Sequence, residues 1–289
     1  MKVRKAVITA AGWGTRFLPV TRSQPKEMLP LVDRPMIQYA VEEAIKAGIE
    51  QVIMVTAAGK RAIEDYFDRH LELEYFLERR GETELLRKTL EVSSLADICY
   101  VRQKEQLGLG HAVLMVKDVV GNEPFAVILP DDIIDSKVPG LKQMIEVYEK
   151  YRAGVVAVER VSDEDIGKYG IIEAKKEARG VYEVLSLVEK PALAQAPSHL
   201  GIVGRYILTP RIFDVLKHTP PGKNGEIQLT DALQLLLKQS FREGLYACEL
   251  EGTRYDTGTP LGWLKANVAL ALKRQDIGPE LREYLKGLL

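Results

Sequence analysis

The chain has 289 residues, which fits one large or two small domains at about 150 residues per domain. Its 40 Lys and Arg against 41 Asp and Glu leave a net charge of −1, which argues against general binding to nucleic-acid backbones. The apolar runs are too short for a membrane span or a signal peptide. Cys99 and Cys248 lie in no metal-binding or disulfide pattern. We therefore expect a cytoplasmic protein with a sizeable core, bound to neither nucleic acid nor membrane.

The first half of the chain alternates short apolar runs with helical patterns. The predicted strands are residues 6–9, 51–56, 98–101, 125–129 and 155–158. The predicted helices are residues 35–48, 60–91 and 141–151. This alternation predicts a Rossmann-like α/β fold, in which helices flank a mostly parallel sheet.

The pattern changes after Glu159. Residues 169–174, 181–188 and 201–208 are predicted strands with little helix between them, which indicates an antiparallel elaboration. Helices are predicted again over residues 210–217, 227–239 and 260–273, and residues 280–289 fit a last helix or an oligomer contact. Because no linker or repeat interrupts the chain, we expect one domain spanning residues 1–289.

A glycine-rich turn follows the first strand, where parallel sheets bind ligands. Its sequence is Ala10-Ala11-Gly12-Trp13-Gly14-Thr15-Arg16. A P-loop is absent, and a dinucleotide fingerprint fails because Phe17 takes the place of its third glycine and Thr56 ends the second strand. What remains is a turn with two nearby cations, Arg16 and Lys26, and Lys26 lies in a proline-bounded loop. The turn thus predicts either a phosphate site or a structural turn with solvated cations.

Six ordered blocks of the sequence closely resemble the sugar-1-phosphate nucleotidylyltransferases and, within them, the bacterial UTP–glucose-1-phosphate uridylyltransferases. The blocks are residues 12–30, residues 103–112, residues 129–135, residues 188–191, residues 202–206 and residues 219–232. Such an enzyme joins a nucleoside triphosphate to a sugar 1-phosphate and releases pyrophosphate. The attacking phosphate is already ionised, so no strong base is needed, and the four scattered histidines agree with this.

The resemblance implies a role for each site residue. The implied catalytic residues are Arg16, Lys26, Asp131 and Lys190, and the implied Mg²⁺ ligands are Asp131 and Asp256. The implied nucleotide-binding residues are Ala10, Ala11, Gly12, Gly14, Thr15, Arg16, Lys26, Gln103 and Gly108. The implied sugar-phosphate-binding residues are Gly170, Glu189, Lys190 and Gly204. Residues 1–158 would form the nucleotide-binding half, and residues 159–289 would bind the sugar phosphate and form oligomer contacts.

Four finer expectations accompany these roles. Asp132 is interpreted as a bystander beside Asp131, and His111 as a packing or supporting residue. Pro191 is expected to keep the backbone of Lys190 extended. The backbone at Gly170 and Gly204 is expected to approach the sugar ring.

The implied reaction converts UTP and glucose 1-phosphate into UDP-glucose and pyrophosphate, in a homo-oligomer that is a dimer or a tetramer. The alternatives are a sister enzyme that uses dTTP, CTP or ATP, and a regulator that binds nucleotide sugars without catalysis. A regulator would not need the complete set of cations and carboxylates, which argues against it.

Overall fold

A nine-stranded mixed sheet forms the centre of the protein in the computed structural model, which describes residues 1–239 and 244–288. In their order across the sheet, the strands are β5 (Ile98–Arg102), β4 (Gln51–Thr56), β1 (Lys5–Thr9), β6 (Phe125–Ile128), β11 (Leu200–Leu208), β8 (Gly154–Arg160), β12 (Leu245–Glu249), β10 (Val181–Glu189) and β9 (Gly170–Ala178). Two small ribbons accompany the sheet and pair β2 (Pro30–Leu31) with β3 (Arg34–Pro35), and β7 (Asp132–Asp135) with β13 (Thr253–Asp256).

The strands β5, β4, β1 and β6 are parallel to one another. In β1, Val7 packs into the apolar cluster on one face of the sheet, while Ala6 and Ile8 pack into the cluster on the other. Continuous apolar runs are typical of strands that are covered on both faces. The carboxyl ends of these strands meet at one edge, as predicted.

The other half of the sheet is largely antiparallel. Strand β11 is antiparallel to both β6 and β8, and β10 is antiparallel to both β12 and β9. Strand β12 is parallel to β8 and was not predicted from the sequence. The expected α/β fold with an antiparallel elaboration is confirmed.

Helices cover both faces of the sheet. They are α1 (Met36–Lys46), α2 (Arg61–Phe67), α3 (Leu71–Arg79), α4 (Thr83–Ser93), α5 (Leu109–Leu114), α6 (Lys117–Val120), α7 (Gly140–Tyr151), α8 (Arg211–Leu216), α9 (Leu229–Gln239), α10 (Pro260–Lys273) and α11 (Gly278–Leu288). Helices α1 and α7 contribute to one apolar cluster, and α5, α8 and α9 to the other. Within residues 1–239 and 244–288, no helix has both the length and the apolar character to cross a membrane.

The prediction of one helix over residues 60–91 is wrong, because the segment forms three helices. The first ends at Phe67, where the backbone of Asp68 is extended, and the second ends at Arg79 just before Gly81, whose φ is 70°. A positive φ suits glycine and stops a right-handed helix. Helical composition alone did not reveal these local breaks.

Candidate active site

A cleft with two joined parts opens at the edge where the parallel strands end. We call its larger part, of about 510 Å³ and lined by Arg16, Lys190 and Asp256, the carboxylate end. The other part, of about 410 Å³ and lined by Trp13, Gln103 and Gly108, is the glutamine end. Residues that line both parts include Gly12, Gly14, Thr15, Lys26 and Asp131. The structure thus brings the separate sequence blocks to one place.

Every predicted site residue except Ala10 lines this cleft. The side chain of Ala10 is fully buried in the core, and its backbone N–H donates to the carbonyl of Val55 at 2.8 Å. Ala11, in contrast, lines the glutamine end. A contact from Ala10 to a ligand would therefore have to come from its remaining backbone atoms.

Gly14 shapes the turn that follows β1. Its φ is 68°, and a Cβ at this position would lie 3.1 Å from Thr21 Cγ2 and 3.3 Å from Lys26 Cβ. The Thr21 hydroxyl donates to the Gly14 carbonyl at 2.9 Å. Glycine is therefore needed both for the backbone conformation and for close packing against the loop that carries Lys26.

Lys26 lines both parts of the cleft, and it is held there by its own ion pair and by an ion pair of the next residue, Glu27. Its Nζ lies 2.6 Å from Asp131 Oδ2, and the neighbouring Glu27 forms a buried ion pair with Lys60 at 2.8 Å. Burial opposes the charge of Lys26, but the attraction of Asp131 and Glu27 outweighs it and raises the pKa of Lys26. For Asp131, burial is likewise outweighed by Lys26, so its pKa is lowered. Both groups are therefore charged at neutral pH.

Asp131, Asp256 and Arg16 face one another across Gly258. A Cβ built on Gly258 would lie 3.2 Å from Asp131 Oδ2, 3.0 Å from Asp256 Oδ1 and 3.3 Å from Arg16 Nη1. The backbone N–H of Gly258 donates to Asp256 Oδ1 at 2.9 Å, and Thr257 donates to the Asp131 carbonyl through both its N–H and its hydroxyl. The tight turn after β13 thus places the second carboxylate beside the first.

These two carboxylates fit a divalent cation that is shared with substrate. Within the part of the chain that the structure describes, no three His, Cys, Asp or Glu side chains cluster as metal ligands. Mg²⁺ typically takes one or two protein carboxylates and completes its shell with water and substrate phosphates. The donor set agrees with that arrangement and not with an all-protein cage.

At the glutamine end, His111 holds the side chain of Gln103. Gln103 is 3% exposed, and its Nε2 lies 2.9 Å from His111 Nδ1 and 3.3 Å from the Gly108 carbonyl. The amide nitrogen can donate to Nδ1 in the His111 tautomer that carries its proton on Nε2. These contacts give His111 a supporting place, in line with its interpretation from sequence. Gly108 has a φ of 99° and packs against Ile227, and this contact brings two sequence blocks together.

The sugar-phosphate block corrects one expectation. Lys190 has a φ of 45°, so the prediction of an extended backbone before Pro191 is wrong. The backbone N–H of Lys190 donates to the Tyr169 carbonyl at 3.0 Å, and its Nζ lies 3.2 Å from Glu189 Oε1. Tertiary contacts therefore override the local preference that proline imposes.

Gly170 and Gly204 line the cleft, yet protein packing already accounts for both. A Cβ on Gly204 would lie 2.5 Å from Asp132 Oδ2 and 2.8 Å from Leu129 Cβ. A Cβ on Gly170 would lie 2.8 Å from Thr230 Oγ1. Close approach to a sugar is therefore not required to explain either glycine.

Asp132 is no bystander in this architecture. Its Oδ2 accepts from the Gly204 N–H at 2.8 Å, and its Oδ1 lies 2.6 Å from the guanidinium of Arg254. Burial raises the pKa of Asp132 to about 6, although Arg254 opposes the shift. Sequence reasoning missed Arg254, and the only sequence signal was its place two residues before Asp256.

A separate cavity of about 360 Å³ lies between α1, β7 and α10. None of the predicted site residues lines it, and two of its cations are already paired, Arg34 with Glu42 and Lys273 with Asp135. Because the predicted site residues converge on the cleft and not on this cavity, the cavity is a weaker candidate for the substrate site.

Comparison with known proteins connects this cleft to a family. The profile of the nucleotidyl transferase family matches residues 5–273. The UTP–glucose-1-phosphate uridylyltransferase of Staphylococcus epidermidis is 50% identical over 287 residues, covering 99% of each chain. The YngB protein of Bacillus subtilis, which carries the same enzyme name, is 51% identical and covers 100% of this chain and 96% of its own length.

Solved structures agree with these relatives. A UTP-bound enzyme from Acinetobacter baumannii superposes with a TM-score of 0.90 at 41% identity, covering 99% of this chain and 100% of that one. A UDP-glucose pyrophosphorylase in complex with UDP-glucose superposes with a TM-score of 0.85 at 46% identity, covering 94% and 100%. The resemblance carried by the six sequence blocks is confirmed, and the chain belongs to the nucleotidyl transferase family, in the branch of the UTP–glucose-1-phosphate uridylyltransferases.

Proposed function

We propose that the protein transfers the uridylyl group of UTP to glucose 1-phosphate and produces UDP-glucose and pyrophosphate. The observation that carries this proposal is the convergence of Arg16, Lys26, Asp131, Lys190 and Asp256 on one cleft. Two polyanions that repel each other need such a concentration of cations in order to meet. The names and bound ligands of the relatives, UTP in one structure and UDP-glucose in another, support the same reaction.

The reaction needs positioning and charge stabilisation more than proton transfer. A phosphate oxygen of glucose 1-phosphate attacks the α-phosphorus of UTP in line, and the bond from that phosphorus to the leaving pyrophosphate breaks. Arg16 and Lys26 stabilise the charge that develops on the α-phosphate and on the leaving group. Lys190 binds the phosphate of the sugar substrate, and Glu189 accepts hydrogen bonds from sugar hydroxyls.

Enzymes of this family generally use a divalent metal ion, and we assign Mg²⁺ to this chain. Asp131 and Asp256 would hold the ion, which supplies neutralisation of phosphate charge when bound. Lys26 contacts Asp131 directly, so the same lysine orients the carboxylate and faces the phosphates.

The remaining roles follow the two parts of the cleft. Gln103 and Gly108 bind the uracil edge at the glutamine end. Of the residues in the turn after β1, Ala10, Ala11 and Gly12 face the base and ribose, and Gly14, Thr15 and Arg16 hold the phosphates. Gly170 and Gly204 border the sugar. Residues 1–158 would thus bind the nucleotide and residues 159–289 the sugar phosphate. A cytoplasmic location and a homo-oligomer, dimer or tetramer, stay predictions from the sequence.

One assay tests the proposal against its alternatives. The purified protein is incubated with glucose 1-phosphate, Mg²⁺ and UTP, dTTP, CTP or ATP in separate reactions, and pyrophosphate release is measured. We expect a strong preference for UTP. Preference for another triphosphate would identify a sister activity, and release with none of them would leave a nucleotide-sugar-binding regulator.

A further inference from the structure

Arg254, on β13, lines the carboxylate end of the cleft, but its hydrogen-bond donors are already occupied by protein groups. Its side chain is 11% exposed. Its Nε and Nη2 each lie 2.6 Å from Asp132 Oδ1, and its Nη1 donates to Glu159 and, at 3.3 Å, to the Tyr169 hydroxyl. Nη2 also lies 3.8 Å from Asp256 Oδ2. A guanidinium has five donors in a fixed plane, so little of this one is left to grip a substrate phosphate.

Three of the partners of Arg254 contact or belong to different parts of the site. Asp132 accepts the N–H of Gly204 at 2.8 Å, and Gly204 is a proposed sugar-binding residue on β11. Tyr169, whose ring centroid lies 5.3 Å from the guanidinium, accepts the N–H of Lys190 through its backbone carbonyl. Asp256 is a proposed metal ligand and pairs with Asp132 in the register of β7 and β13.

The charge of Arg254 is needed where it lies. It faces three carboxylates, Asp132, Glu159 and Asp256, and Asp132 is 6% exposed. Without the guanidinium, Asp132 Oδ1 would lose both of its contacts at 2.6 Å. The Asp132 carboxylate, which accepts the Gly204 N–H, and the Asp256 carboxylate, which lies 3.8 Å from Nη2, would then be free to shift.

We propose that Arg254 is a positioning residue that couples the metal carboxylate Asp256 to the sugar-phosphate residues Gly204 and Lys190. The coupling passes through Asp132 and Tyr169, and it rests on the proposed function of the cleft. Arg254 does not line the glutamine end of the cleft, and its hydrogen bonds and ion pairs go to Asp132, Glu159, Tyr169 and Asp256. Its loss therefore weakens the hold on the glucosyl phosphate and the metal, and it spares the nucleoside part.

The test compares binding of UDP-glucose with binding of UDP by isothermal titration calorimetry in the presence of Mg²⁺. For Arg254→Met we expect the Kd of UDP-glucose to rise by about tenfold to hundredfold, the range seen when partners of metal ligands are removed. The Kd of UDP should rise less, and half-maximal binding of UDP-glucose should need more Mg²⁺. Arg274→Met is the matched control, since Arg274 also joins two carboxylates, Asp33 and Asp276, but lies outside the cleft.

A lysine variant separates positioning from simple stability. Arg254→Lys keeps the charge but not the planar fork, so it should restore the melting temperature more fully than the affinity for UDP-glucose. Equal loss of affinity for UDP and UDP-glucose, or a lower melting temperature with both affinities unchanged, would overturn the inference. Full restoration of both the melting temperature and the affinity for UDP-glucose in Arg254→Lys would also overturn the inference. If the wild-type protein itself binds neither ligand and releases no pyrophosphate, the proposed function is what fails.

Discussion

The buried ion pair between Glu27 and Lys60 should decide the stability of the loop that carries Lys26. The two charged groups lie 2.8 Å apart, and their side chains are only 1% and 8% exposed. Replacement of Lys60 by Met keeps most of the side-chain volume but leaves a buried carboxylate without its cation. Removal of one partner of a buried pair typically costs about 3–5 kcal/mol, and we expect Lys60→Met to lower the free energy of unfolding by that amount.

The next residue along the chain offers a matched control. Arg61 pairs with Asp65 at 3.3 Å, but the two side chains are 85% and 58% exposed. Because exposed pairs contribute at most about 1 kcal/mol, Arg61→Met should change stability little. The same substitution type at adjacent positions thus isolates the effect of burial.

Urea denaturation followed by circular dichroism measures these effects, and a double-mutant cycle assigns them to the pair. Glu27→Gln combined with Lys60→Met removes both charges, so the double variant should be more stable than the sum of the single losses predicts, by at least about 1.5 kcal/mol. Pyrophosphate release should also fall in Lys60→Met at temperatures where it is folded, because Glu27 adjoins Lys26. Additive losses, or equal effects at Lys60 and Arg61, would refute the reasoning.

Three further predictions follow from the cleft and its surroundings. Lys26→Ala and Asp131→Ala should each lower kcat by orders of magnitude while the circular dichroism spectrum is kept, and near-wild-type rates in either variant would contradict its role. Lys190→Ala should mainly raise the KM for glucose 1-phosphate, and an unchanged KM would count against the assignment. Burial opposes the charge of Glu42, but Arg34, Lys46 and Gln38 together outweigh it and lower the pKa of Glu42. This carboxylate therefore stabilises the fold above its unfolded pKa and loses that contribution as pH falls. Unfolding free energies measured from pH 7 down to pH 3 should therefore decline less steeply in Glu42→Gln, and parallel curves would exclude the contribution.

The parallel half of the sheet could be predicted because its signals are local. Strands β1, β4 and β6 are short uninterrupted apolar runs, and the glycine turn follows β1 directly. Strands β7 and β13 were missed because each is only four residues long and includes polar or charged side chains. The pairing of these two strands places Asp256 opposite Asp132, and no local sequence pattern predicts such a long-range contact.

The sequence blocks predicted that the motif residues lie close together, but they did not predict which groups form ion pairs with the charged residues. The sequence shows that Asp132 and Arg254 carry charge, yet they are 122 positions apart and only the fold joins them. Glu27 and Lys60 are 33 positions apart and pair in the same way. A charged residue in a motif is therefore recognisable from its spacing, while the group that fixes its orientation depends on tertiary packing.

Glycines show most clearly what a motif leaves open. A glycine is required wherever a Cβ has no room, and the sequence does not distinguish a ligand from a neighbouring side chain as the cause. At Gly204 the space is taken by Asp132 and Leu129, and at Gly14 both the positive φ and the packing against Thr21 and Lys26 favour glycine. Gly12 differs, since a Cβ there would meet no atom within 4 Å. Because neither packing nor a positive φ demands glycine at position 12, that residue is the one in the turn whose small size is best explained by the approach of a substrate.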